Sequence, residues 1–256
     1  MSKIFLVTGM HRSGTSLFSN WLNNCGVNLG DKFLDDEISN PTGFYEDKKF
    51  VSLHKDILND NNKNHFTLDN NLIISEDKIL RAQKLLIERK NMPIWGWKDP
   101  RSILLLDFWN KMVEDLNFIF LFRNPDEVIN SLERRMIKNK DFIFRSKYYL
   151  LHRRSTIKLY AESWIFNNLK ILSFIEKIPK EKYILLDIKS FKRNDKAIFL
   201  ELNSKFELSL NYSSLDKILK PNLLKEHATD YKLAKETRKR IGDTFESLKH
   251  KETIFF

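Results

Sequence analysis

The sequence predicts an α/β fold in which a central parallel sheet carries helices on both faces, built as one domain over residues 1–256. Three observations carry this expectation. Apolar runs without polar alternation, at residues 4–7, 118–122 and 183–186, have the character of strands buried on both faces. Segments with apolar residues at helical spacing lie between them, which is the order of a sheet wound by helices. Hydrophobic residues make up 42% of the 256, with 20 Phe, enough for one filled core, and no linker-like stretch divides the chain.

Taken in order, Ile4-Phe5-Leu6-Val7 is the first strand and residues 17–25 the first helix, with Gly9-Met10-His11-Arg12-Ser13-Gly14-Thr15-Ser16 between them. A strand beginning so near Met1 leaves no room for a signal peptide. Residues 30–45 are irregular and punctuated by Asn40-Pro41-Thr42-Gly43, and a helix is expected over about 47–58. Residues 59–71 are nearly all Asn, Asp, Lys and Thr around His65 and Phe66, an exposed loop. Ile79, Leu80, Gln83, Leu86 and Ile87 mark a helix that stops at Asn91-Met92-Pro93. Ile94-Trp95-Gly96-Trp97 is a short strand, residues 104–116 a helix, and Asn124-Pro125 opens the helix after strand 118–122, with Pro where its missing N–H does no harm. A long amphipathic helix covers about 155–178 on Ile157, Ala161, Trp164, Ile171 and Ile175. From about 211 to 256 the chain is charged and helical, an extension packed on the domain.

The stretch from Gly9 to Ser16 is a phosphate cradle. Its glycines allow a tight turn with N–H groups converging, and the following helix adds its positive end. It differs from a Walker A loop because Thr15 stands where a nucleotide triphosphatase places Lys, while a cation appears inside the loop at Arg12. Ligands of such sheets sit at the carboxyl ends of strands. Three more clusters fall there: Trp97-Lys98-Asp99-Pro100-Arg101, Arg123-Asn124-Pro125 with Ser131 beyond it, and the 40–47 turn ending in Glu46 and Asp47. Each has a purely structural reading as ion pair, strand cap or helix-start carboxylate. All on one sheet edge, they read better as a site.

The net charge of +10 suits an anionic ligand or an acidic surface, although Lys scattered among Asn, Ile and Phe equally makes a solvated exterior. The single cysteine, Cys25, lies on the apolar side of the first helix and is expected to be a buried, inert thiol. No apolar run approaches the roughly 20 residues of a bilayer span, so the expected location is cytoplasmic. Residues 138–154 interleave Lys and Arg with Phe142, Phe144, Tyr148 and Tyr149. That mixture fits a basic amphipathic helix or a groove for an anionic or lipid-linked saccharide, and leaves peripheral membrane association open. No nucleic-acid-binding module accompanies it, and nucleic acid is not expected as a partner.

The segments GMHRSGTSL, NPTGFYED, WKDPRSILLLDFW and FLFRNPDEVINSLERR follow one another as in the PAPS-dependent sulfotransferases. The chain most closely resembles a bacterial branch similar to carbohydrate sulfotransferases, over residues 3–227 and through Lys220-Pro221-Asn222-Leu223. The resemblance implies a P-loop-like α/β architecture and 3′-phosphoadenosine 5′-phosphosulfate (PAPS) as donor, with no metal. It places His11, Arg12, Ser13, Gly14, Thr15 and Ser16 on the 5′-phosphosulfate and Arg123 and Ser131 on the 3′-phosphate. Charge builds on the phosphosulfate bridging oxygen during transfer, which gives Arg12 a catalytic role, and Lys98 matches the family lysine that supports the same side. Glu46 is the expected general base, Asp47 its nearest substitute and His11 a second candidate, although a hydrogen bond from His11 to phosphate is the preferred role. His227 reads as a solvated histidine. Trp21, Trp95 and Trp97 are either core or adenine contacts. The implied acceptor is a hydroxyl, with a carbohydrate leading. The rival reading, a nucleotide or small-molecule kinase, requires Lys before Ser16 and a strand-end carboxylate for magnesium, for which Asp187 is a loose match.

Overall fold

Four parallel strands run in the order β2-β1-β3-β4, with β1 at Lys3–Thr8, β2 at Ile94–Lys98, β3 at Leu116–Phe122 and β4 at Tyr183–Asp187. The computed structural model describes residues 2–30, 33, 43, 45–138, 140–218 and 231–253. Asn40, Pro41, Thr42 and Phe44 of the expected turn, the 220–223 segment and His227 lie outside the described residues.

Strand alternation divides the core into two layers. Leu6, Trp95, Trp97, Phe118, Phe120 and Leu185 face one side. There they meet α2 (Lys48–Asp60), α3 (Glu76–Ile87), α4 (Leu106–Met112), α5 (Pro125–Ile137), α7 (Arg153–Ile175) and α10 (Lys235–His250). Phe5, Val7, Ile119, Leu121, Ile184 and Leu186 face the other, against α1 (Thr15–Asn24), α8 (Ile188–Arg193) and α9 (Asp195–Lys205). A short α6 (Phe142–Lys147) and a π-helical turn, Tyr148–His152, lead into α7. The helices on both faces are those expected of uninterrupted apolar strands.

Registers bring the carboxyl ends together, since Val7 pairs with Lys98, Thr8 with Phe120 and Phe122 with Asp187. The segments following β1, β2 and β3 therefore share one edge. The tryptophans are settled by burial: Trp21, Trp95 and Trp97 are at most 1% exposed, so they are core and not adenine contacts. Cys25 is fully buried, and burial pushes its thiol up.

The helix expected over residues 104–116 divides differently. Asp99 caps a 3-10 turn at Pro100–Leu105, α4 is only Leu106–Met112, and Leu116 already belongs to β3 because it pairs with Ile4. Among the described residues from 211 onward, the extension is helical over a 3-10 turn, Leu215–Lys217, and over α10, which packs on α7. No described helix is long and apolar enough to cross a membrane.

Candidate active site

The cradle forms where β1 hands over to α1. A Cβ on Gly9 would lie 2.2 Å from the Leu121 carbonyl oxygen, so the loop can turn this close to β3 only without a side chain. Gly14 caps α1 at φ 89°, and Arg12 also adopts a left-handed backbone at φ 73°. Inside the loop, the Ser13 hydroxyl and His11 Nε2 are buried with no hydrogen-bond partner among the described residues. Orphaned polar atoms beside the amino end of a helix suit an anion that carries acceptor oxygens.

Arg12 leaves the loop sideways and its Nε donates to the Ser131 hydroxyl at 2.8 Å. Arg123, at the end of β3, donates from Nη1 to the Arg12 carbonyl at 3.3 Å and from Nε to Glu127 at 2.7 Å. Lys189 reaches the same carboxylate at 3.1 Å. Burial would raise the Glu127 carboxyl, but Arg123 and Lys189 outweigh it and hold the group low. Burial, with Arg135, Arg123 and Arg134 nearby, pushes the Arg12 guanidinium down to about 10. Burial, joined by neighbouring cations, disfavours the Arg12 charge, and a nearby anion would favour it.

On the β2 side, Lys98 is 1% exposed and bridges two elements. Its ammonium donates to Glu46 Oε1 at 2.7 Å and to the Ser16 hydroxyl of the loop at 3.2 Å. Arg101 Nη1 lies 3.5 Å from Glu46 Oε2 and 2.8 Å from Asp99 Oδ1. The Trp109 indole N–H donates to His54 Nε2 at 3.0 Å, which leaves the proton on Nδ1 to donate to Asp99 at 2.8 Å. Burial alone would raise the Asp99 carboxyl, yet His54 and Arg101 hold it well below the usual range. Asp99 is thereby a fixed anchor for Arg101. Asp47 is likewise committed, because it caps α2 at Lys49 N and Phe50 N and pairs with Arg89.

Between these clusters opens a cavity of about 390 Å³, lined by His11, His65, Phe66, Arg101, Leu132, Arg135, Met136 and Tyr160. His65 comes from the polar 59–71 loop, which folds inward. Its ring lies 4.5 Å from that of His11, and Phe66 packs 5.2 Å from Tyr160 on α7. The loop neck is closed by Asn61, whose amide exchanges two 2.8 Å hydrogen bonds with the backbone of Ile73. Burial, then Arg101 and Arg135, pushes the His65 imidazole down to about 4. Burial and His65 likewise hold His11 well below its ordinary value. Both rings are neutral near pH 7.

Known structures share this arrangement of strands and helices. The sulfotransferase domain from the curacin biosynthetic pathway is 16% identical, with 96% of this chain and 97% of that one covered at a TM-score of 0.54. A sulfotransferase from Alicyclobacillus acidocaldarius is 13% identical, with 99% and 97% covered and a TM-score of 0.54. The sulfotransferase domain of the Synechococcus PCC 7002 olefin synthase is 16% identical, with 98% and 94% covered and a TM-score of 0.52. The chain has the sulfotransferase fold. No family model matches the sequence, and no curated protein matches it.

On this sulfotransferase fold the residues expected from the sequence fall into two joined groups. Arg12, Arg123 and Ser131 form one; Ser16, Lys98 and Glu46 form the other. His11 faces the cavity instead of either group. Arg101 stood in the quoted motif without a role, and its contact with Glu46 could have been sought from that proximity to Lys98. His65, Glu127 and Arg135 were missed. His65 carried no signal beyond being a histidine in a polar loop.

Proposed function

We propose that the chain transfers a sulfuryl group from PAPS to an acceptor hydroxyl, with carbohydrate as the acceptor class. The observation that carries this reading is Lys98, whose one ammonium joins the phosphate loop at Ser16 to the carboxylate of Glu46. A cation contacting both an anion cradle and a base is what an in-line displacement requires at its two ends.

The donor supplies an activated sulfuryl group on a phosphate leaving group. Ser13, Arg12 and the amino end of α1 offer donors for its 5′ anionic end, and Arg123 with Ser131 offers a second anion position for a 3′-phosphate. Glu46 takes the proton of the acceptor hydroxyl as that oxygen bonds to sulfur. The bond from sulfur to the phosphate oxygen breaks, and its electron pair stays on that oxygen, where Lys98 and Arg12 stabilise the charge. His11 and His65, neutral, donate or accept hydrogen bonds to acceptor hydroxyls in the cavity, and Phe66 and Tyr160 give a sugar ring an apolar wall. Asp47, committed to its cap and to Arg89, is not the base.

The kinase reading is not favoured. Asp187, its candidate magnesium ligand, caps α8 and binds Lys249 at 3.1 Å, and Thr15 holds the place of the Walker lysine. Calorimetry of 3′,5′-adenosine bisphosphate against ATP with Mg²⁺ tests the proposal. Binding of the first at about micromolar Kd, with none of the second, is expected. The reverse order would overturn it.

A further inference from the structure

Between the end of α5 and the second turn of α7 the chain presents a surface unlike its surroundings. Residues 134–159 contain nine Lys and Arg and one acidic residue, Asp141. Four large apolar side chains in this stretch stand open to solvent, Phe142 and Leu150 at 82%, Ile143 at 77% and Leu151 at 67%. The two pairs are eight residues apart. Two α-turns account for about seven, and the π-helical turn at Tyr148–His152 inserts the extra residue that returns Leu150 and Leu151 to the side of Phe142 and Ile143.

The segment is anchored as well as exposed. The Tyr148 hydroxyl and Arg153 Nε donate to the buried Glu133 carboxylate at 3.0 and 2.7 Å, and Ile157 is buried in the core. Exposure of the four apolar side chains is therefore a feature of a fixed surface. Lys140, Lys147, Arg154 and Lys158 are exposed beside them. Arg135 and Met136 at the start of the stretch, and Tyr160 just past it, line the site cavity, so whatever covers the patch lies at the cavity's flank.

We infer that residues 140–154 dock this protein on an anionic lipid surface. Phe142, Ile143, Leu150 and Leu151 enter the acyl boundary, and Lys140, Lys147 and Arg154 meet lipid phosphates. Charge decides the occupant. In a symmetric pairing of two copies each cationic patch would face its own image, and like charges across an interface oppose association. An anionic bilayer supplies an apolar layer under a negative one, which matches apolar tips set among cations. The inference stands apart from the donor chemistry, because membrane binding is read without turnover.

Sedimentation of the full chain with vesicles tests it, using phosphatidylcholine alone and equimolar phosphatidylcholine and phosphatidylserine. The protein is expected to sediment with the anionic vesicles, to leave them as salt rises, and to ignore the neutral ones. Phe142→Glu/Leu150→Glu should partition at least about tenfold more weakly with an unchanged melting temperature, and Lys140→Glu/Lys147→Glu similarly. Leu200→Glu, at an apolar position on α9 that is 57% exposed, should partition as the native chain does. Capture by neither vesicle, equal capture by both, or equal loss in the Leu200→Glu control overturns the inference. A dimer that Leu150→Glu dissociates, without vesicle binding, overturns it in favour of an interface between copies.

Discussion

The Lys98 ammonium sits 2.7 Å from the Glu46 carboxylate, with both side chains almost wholly buried. Removing Lys98 leaves the buried Glu46 carboxylate only the longer contact to Arg101 at 3.5 Å. Lys98→Met should therefore destabilise the protein by about 3–5 kcal/mol, and adding Glu46→Gln should recover at least about half of that. Denaturant melts of both single variants and the double variant form the cycle. Additive losses would mean that the contact carries no coupling.

Glu46→Gln keeps the side chain's shape and removes its basicity. Turnover should fall by between about 10²- and 10⁴-fold, while affinity for 3′,5′-adenosine bisphosphate stays within about twofold. Single-turnover kinetics beside calorimetry would separate the two. A turnover loss under about tenfold would falsify the assignment of Glu46 as base.

Arg12 is held charged at a pKa of about 10, below its unfolded 12.5, so at neutral pH its charge opposes folding. That penalty is on the order of 3 kcal/mol and is relieved only above pH 10, or by a bound anion. Arg12→Met should melt no lower than the native chain and lose turnover, a stability and activity trade. Native protein should gain more thermal stability from the bisphosphate nucleotide than the variant does. Equal shifts would remove Arg12 from the anion site.

Arg123→Ala should erase the preference for nucleotides bearing a 3′-phosphate, weakening those by at least about 30-fold and the 5′-monophosphate hardly at all. Parallel titrations of the two nucleotides decide it, and equal weakening refutes the assignment.

His65 protonates near pH 4 in the folded chain and near 6.5 when unfolded. Between those values the unfolded state binds the proton first, so stability falls as pH drops from 6.5 towards 4 and is unaffected above. His11 acts in the same direction. Melting of His65→Gln should decline less over that interval than melting of the native chain. Identical pH profiles would show that the ring's burial is not felt.

Much of this was legible in one dimension. The cradle could be read because Gly9 and Gly14 serve backbone conformation and close approach, which act locally, and uninterrupted strands announce a covered parallel sheet. Glu46, Lys98 and Arg123 were traceable because each follows a strand or opens a helix at one sheet edge. The tryptophans at 95 and 97 were ambiguous, since burial depends on which sheet face α2 and α4 cover. The break at Pro100–Leu105 and the early start of β3 were hidden because the pairing of Leu116 with Ile4 overrides local helical spacing. His65 was invisible for a related reason: its position is set by Phe66 docking on Tyr160, a contact between residues 94 apart in sequence.

The Asn61 amide closes the 59–71 loop at its neck by pairing with Ile73, as one strand would pair with another. What lies beyond that clasp touches the phosphate cradle at His11, through the ring of His65, and among the described residues bonds to neither Lys98 nor Arg12. Descendants of this chain can therefore rewrite the residues between the two ends of the loop, and with them the wall that His65 and Phe66 present, without disturbing Lys98 or Arg12. On the proposed function, donor chemistry and acceptor choice rest on separate stretches of sequence, free to change at different rates.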